Sequence, residues 1–131
     1  MANFEQKDMY SISVDKAKNR MNILFLGHWA EPDDIPKYTD HVDQATKMLT
    51  PGFTIYAEIL DKKPPTLKVT PIHKKGQQIM KEAGVSKTAV VVSKGQFLQK
   101  MSLSVVGRLS GMSVKTFTAK EEALAWLEEK E

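Results

Sequence analysis

Between Gly52 and Gly84 the chain reads as one folding unit: a strand over Phe53–Leu60, a basic turn over Asp61–Val69 and a helix over Thr70–Ala83. Phe53, Thr54, Ile55, Tyr56, Ala57, Ile59 and Leu60 are apolar or β-favouring, and so continuous a run belongs to a strand covered on both faces. Glu58 interrupts it. A carboxylate there needs a partner or a wet strand end, and its place two residues from Leu60 favours the wet end. Thr70-Pro71 suits a helix start, with the threonine as cap and the proline where no N–H is needed. Gly84 suits its end, because glycine takes a left-handed conformation at little cost.

The flanks repeat the strand–helix alternation. Tyr10, Ile12 and Val14 alternate with Ser11 and Ser13, the pattern of a half-buried strand, and Asn22–Gly27 predicts a second strand. The short charged turn Asp15–Arg20 makes the two an antiparallel hairpin. Ile35, Tyr38, Val42, Ala45 and Leu49 form one stripe and predict a helix over Ile35–Leu49, with acids at its start. Thr88–Val92 predicts a buried strand, Phe97–Leu109 a helix and Val114–Phe117 a short strand. Thr118-x-x-Glu121 has the form of a capping box before a final helix with Ala119, Ala123, Leu124 and Leu127 inward. The expected architecture is α/β: a mixed, mainly parallel sheet of about five strands flanked by four helices, with right-handed crossovers. Residues 1–9 read as a loose polar arm and 10–129 as one domain.

Composition narrows the chemistry. The 131 residues hold no cysteine, which removes disulfides, cysteine-based zinc sites and thiol catalysis. No apolar run is long enough to span a membrane, and Met1–Asp8 is too polar for a secretory signal, so a soluble cytoplasmic protein is expected. A net charge of +3 does not suggest a nucleic-acid binder. Six lysines fall between Lys62 and Lys81 with no acid among them, so the rest of the chain sums to −3.

The order of elements resembles the STAS fold, and within it the small stand-alone SpoIIAA-like proteins. The residues that carry the resemblance are Pro51-Gly52-Phe53, Glu58-Ile59, Gly84-x-x-Lys87-x-Ala89-Val90-Val91 and Phe117-x-x-x-Glu121-Glu122-Ala123-Leu124-x-Trp126-Leu127. The resemblance spans about Met9–Leu127 and implies a single STAS-like domain acting as a regulatory or binding module, with no cofactor. Regulatory STAS domains carry a phosphorylatable serine in an Asp-Ser-Ser/Thr-Gly-like sequence after this central strand. Here that turn reads Asp61-Lys-Lys-Pro-Pro-Thr-Leu-Lys-Val-Thr-Pro71, so no such serine carries over.

The candidate site lies on that turn. A helix start presents free N–H groups and partial positive charge, and Lys62, Lys63, Lys68, His73 and Lys74 lie close to Thr70 in sequence. Together they form a candidate site for a partner protein or a small anionic or lipidic ligand. The plainer reading is a solvated loop and outer helix face. The second function class is a small hydrolase or transferase using His28, Asp33 and Asp34 in the His28–Asp34 loop, and the third is an assembly protein. Against the second, His28 also reads as a loop histidine packed beside Trp29, the aspartates as helix-start residues, and His41 and His73 as outer-face residues of separate helices. No metal site is expected.

On the predicted helix Phe97–Leu109, the residues Leu98, Met101, Val105 and Leu109 span an arc of roughly 80°. Leu103 projects nearly opposite, with Phe97 and Val106 flanking the docked stripe. A second copy across a two-fold axis, or the arm Met1–Met9, is the expected cover for that face.

Overall fold

The computed structural model describes residues 2–6, 9–26, 29–59, 67–92 and 113–129. Six strands form one sheet in chain order: β1 (Ala2–Gln6), β2 (Tyr10–Asp15), β3 (Arg20–Phe25), β4 (Thr54–Ile59), β5 (Lys87–Val92) and β6 (Val114–Phe117). β1, β2 and β3 pair antiparallel, and β3 to β6 run parallel. The two continuous apolar runs are neighbours in the middle, with Ile55 opposite Thr88 and Ile59 opposite Val92. All six residues of β5 are buried, as cover on both faces requires.

Helices α1 (Tyr38–Thr46) and α2 (Thr70–Ala83) cover one face. Val42, Ala45 and Met80 pack there on Ile12, Ile23, Ile55, Ala57 and Val90. Helix α3 (Lys120–Glu128) covers the β4–β6 half of the other face, where Ala123 and Leu127 meet Tyr56, Ala89, Val91 and Phe117. Gly76 lets α1 and α2 approach closely, since a Cβ there would sit 3.0 Å from the Tyr38 ring. Gly84 ends α2 at φ 99°, and a Cβ on it would lie 3.0 Å from Pro51 Cα.

Several local expectations are corrected. The amino terminus, expected as a loose arm, includes an edge strand at Ala2–Gln6, so the sheet has six strands among the described residues where about five were expected. Phe4 packs on the core between exposed Asn3 and Glu5, and the Gln6 amide donates to the Asp34 carbonyl. α1 begins at Tyr38, not Ile35, because the residue before a proline is driven out of helical geometry; Ile35 sits at φ −136°, ψ 57° ahead of Pro36. A 3-10 turn over Pro32–Asp34 takes the place of the missing first turn. Thr118 caps nothing: Ala119 is the residue before α3 and no side chain bonds there among the described residues. Three α-helices lie among the described residues. The expected fourth, Phe97–Leu109 with Phe97, Leu103 and Val106, lies outside them.

The expected cap of α2 is also absent. A 3-10 turn over Leu67–Val69 leads into the helix, Val69 holds the capping position and Thr70 is already helical. Thr70→Ala is therefore expected to leave stability within about 0.5 kcal/mol of the parent. A loss near 1 kcal/mol in urea denaturation would restore the capping role.

Candidate functional site

The C-terminal ends of β3 and β4 and the start of α2 come together around Trp29. In open α/β sheets, ligands bind in the crevice at that end of the strands. Trp29 is fully buried, and its indole N–H donates to the Met9 and Leu26 carbonyls, each at 3.1 Å. The His73 ring from α2 stacks on it at 4.9 Å and 12°. Tyr38 from α1 meets Trp29 edge-on at 4.9 Å, and Phe25 at the end of β3 lies 5.3 Å away. Tyr10 closes the group, 6.0 Å from Trp29 and 5.3 Å from Tyr38.

Next to this cluster, Lys68 Nζ lies 2.8 Å from Glu31 Oε1. The pair ties the turn before α2 to the loop after β3, and the Glu31 hydrogen bond holds the Lys68 pKa up. Asp34 fixes that loop from within: its Oδ2 accepts from the Ala30 and Glu31 N–H groups at 3.2 and 2.9 Å. The carboxylate is thus spent on the backbone, as its helix-start reading requires. Asp33 is exposed.

Burial shapes the titration of the aromatic groups. Desolvation, helped by the Asp40 charge, pushes the Tyr10 phenol up to about 12. Desolvation also raises Tyr38. Both phenols stay protonated near neutral pH and are not phenolate nucleophiles. Tyr10 OH and His41 Nδ1 lie 2.7 Å apart, with Phe4 from β1 against the imidazole at 5.7 Å. Desolvation first, then the Lys37 charge, lowers the His41 pKa below its usual 6.5, against an opposing pull from Asp40.

A histidine whose pKa is lower folded than unfolded takes up protons more readily in the unfolded chain. Its contribution is fully present above about pH 6.5 and is lost as pH falls through the folded value. The parent is expected to lose stability on acidification from neutral pH more steeply than His41→Asn. Equal slopes in paired urea titrations would contradict this.

The sequence-derived candidates separate here. His41 and His73, expected on outer faces of separate helices, both turn inward to this aromatic group. Lys68 and Lys74 are exposed at the start of α2, and Thr70 and His73 are half-buried beside them. Lys62, Lys63 and His28 lie outside the described residues. Trp29 as the organising side chain was missed; the only sequence signal was a tryptophan in a polar loop between a strand and a helix. Glu58, assigned to a wet strand end, is half-buried and accepts the Tyr56 hydroxyl at 2.5 Å. It lines an open groove of about 330 Å³ on the other sheet face with Ser11, Ser13, Asn22, Leu124 and Lys120. No group of three or more metal-ligating side chains occurs among the described residues, and no helix among them is long and apolar enough to cross a membrane.

A mixed six-strand sheet with the hairpin first, parallel strands after it and helices on both faces defines a STAS-type α/β domain. The chain belongs to the SpoIIAA-like family, whose model matches residues 29–128. It is similar to a crystal structure of an uncharacterised protein with a SpoIIAA-like fold from Shewanella loihica PV-4. That likeness has a TM-score of 0.67 at 16% identity and covers 95% of this chain and 98% of the other. It supports the fold alone. No curated protein matches the sequence.

Proposed function

We propose that this protein is a regulatory binding module, not an enzyme, and that it holds a partner protein or a small anionic or lipidic ligand against the start of α2. The observation that carries this reading is the charge at that start. The first turn of α2 contains no acid and, among the described residues, no side chain caps it. Lys68 and Lys74 are exposed beside it. A helix start in that state favours anions through its N–H groups and its dipole. Membership of the SpoIIAA-like family supports a regulatory role in place of turnover.

Glu31 has a specific part in this reading. It is the chain's own carboxylate on Lys68, so it competes with an external anion for that ammonium. With inorganic pyrophosphate as the probe at low salt, Glu31→Gln is expected to tighten binding about two- to fivefold, the range of an exposed ion pair. Lys68→Glu with Lys74→Glu is expected to weaken it, and added salt to narrow both differences. Equal affinity for all three proteins at low salt would return these lysines to solubility alone. The competing hydrolase or transferase reading is tested by a turnover screen on generic ester and phosphate substrates. Turnover that disappears with Asp33→Asn would favour it.

A further inference from the structure

Leu67 is the exposed large apolar side chain among the described residues, at 89% of its full area. It opens the turn that leads into α2, and Lys68 follows it. On α2 the solvent-facing residues are Pro71, Lys74, Lys75, Gln78, Lys81 and Glu82, while Gly76 and Met80 are buried. At 100° per residue those six fall within one arc of about 120°. The arc holds three lysines and one carboxylate, and the Gln78 amide donates to that carboxylate at 3.0 Å. The exposed leucine therefore stands at the end of a basic ridge.

The helix on the opposite face is acidic in its own residues, with Lys115 and Arg20 set beside it. α3, across the sheet, exposes Glu121, Glu122 and Glu128, with Glu129 beyond its end, against Lys120. Glu128 is held by Arg20 at 3.0 Å. α1, beside α2, is mixed, with Lys37 and Asp40 exposed and Lys47 paired to Asp43 at 2.9 Å. Of the three helices among the described residues, α2 thus presents the most one-sidedly basic outer face, the one an anionic surface would favour.

A free phosphate would satisfy the lysines and leave Leu67 in water. An acidic protein would need a pocket matched to one leucine. A bilayer with anionic headgroups over an apolar interior satisfies both features at once. We infer that the protein docks peripherally on anionic membranes through this ridge, with Leu67 entering the boundary between headgroups and acyl chains. This inference rests on the reading of the α2 start as the working surface and names its partner.

The test is sedimentation of the full chain with vesicles of phosphatidylcholine alone or mixed with phosphatidylglycerol. Binding is expected only with the anionic lipid and is expected to weaken with salt. Leu67→Asn leaves an exposed position polar and is expected to keep the parent melting temperature while lowering vesicle affinity about tenfold or more. Lys74→Glu with Lys75→Glu is expected to lower it further at low salt. Pyrophosphate and a poly-glutamate peptide serve as soluble arms. Pyrophosphate binding with no binding to the anionic vesicles overturns membrane docking and leaves the basic surface as the site. Vesicle binding indifferent to Leu67→Asn also overturns it. Peptide binding that depends on Leu67, without vesicle binding, replaces the membrane with an acidic protein. Binding to none of the probes overturns both this inference and the reading beneath it.

Discussion

Trp29→Ala is expected to cost about 3–5 kcal/mol, the usual range for removing a large buried aromatic side chain. The ring is fully buried and touches side chains from β2, β3, α1 and α2. Its N–H donates to two carbonyls, and the one on Met9 also receives the Leu26 N–H at 2.8 Å. Truncation therefore removes packing and the indole donor, while the Met9 carbonyl keeps the Leu26 N–H. A domain of this size has roughly 5–15 kcal/mol in hand, so the variant is expected to be marginal and to melt on the order of 10 °C or more lower. Trp29→Phe keeps part of the stack and loses the donor together with some ring volume, for about 1–3 kcal/mol. Urea denaturation followed by far-ultraviolet circular dichroism measures both. An alanine variant within 1 kcal/mol of the parent would show that Trp29 does not organise this end of the sheet.

The second large effect lies at the other end of the strands. Lys87 is buried, with 7% of its surface exposed, and its ammonium donates to the Trp126 carbonyl at 3.0 Å and the Glu129 carbonyl at 2.8 Å. It also sits 5.2 Å over the Trp126 ring. Those carbonyls end α3, where the helix dipole favours a cation. Arg20 supports the same turn by binding Glu128, while its Nε donates to Thr54 at 3.1 Å. Arg20, Thr54 and Lys87 face one another across β3, β4 and β5, so one row of strand starts clamps the end of the last helix.

Lys87→Met keeps most of the volume and removes the charge. The expected cost is about 2–4 kcal/mol, from charge-assisted hydrogen bonds and the helix-end interaction together. Amide exchange is expected to rise first over residues 120–129, before the central strands. Unchanged stability and unchanged exchange in α3 would mean the carbonyls find water at no cost.

These two sites show where sequence reading reaches and where it stops. Phe53–Leu60 and Thr88–Val92 were legible as the centre of the sheet because burial on both faces leaves a run of apolar residues in a single strand. The stripe Tyr38, Val42 and Ala45 was legible for the same local reason. β1 was not: Ala2–Gln6 has one aromatic among mostly polar residues, and its strand character comes from pairing with β2. Lys87 was not either. A lysine at the start of a strand looks solvated until a helix end some forty residues later brings two carbonyls to it.

The caps failed for a related reason. Thr70 and Thr118 match capping preferences, yet the chain enters α2 through a 3-10 turn and α3 one residue later than the box requires. At the candidate site the lysines at the start of α2 were legible as a charge run. Their tie to Glu31 and the inward turn of His41 and His73 were not, because they depend on contacts distant in sequence: the loop after β3 for Lys68, Tyr10 for His41 and Trp29 for His73.

If the start of α2 and the loop after β3 form the proposed working surface, a pyrophosphate titration of the isotope-labelled protein at low salt, followed by amide shifts, is expected to give saturable shifts concentrated in residues 29–34 and 67–75. Those shifts are expected to be absent in Lys68→Glu with Lys74→Glu and larger at a given concentration in Glu31→Gln. Shifts centred instead on Ser11, Ser13, Asn22 and Glu58, or no saturable shift anywhere, would contradict the proposal.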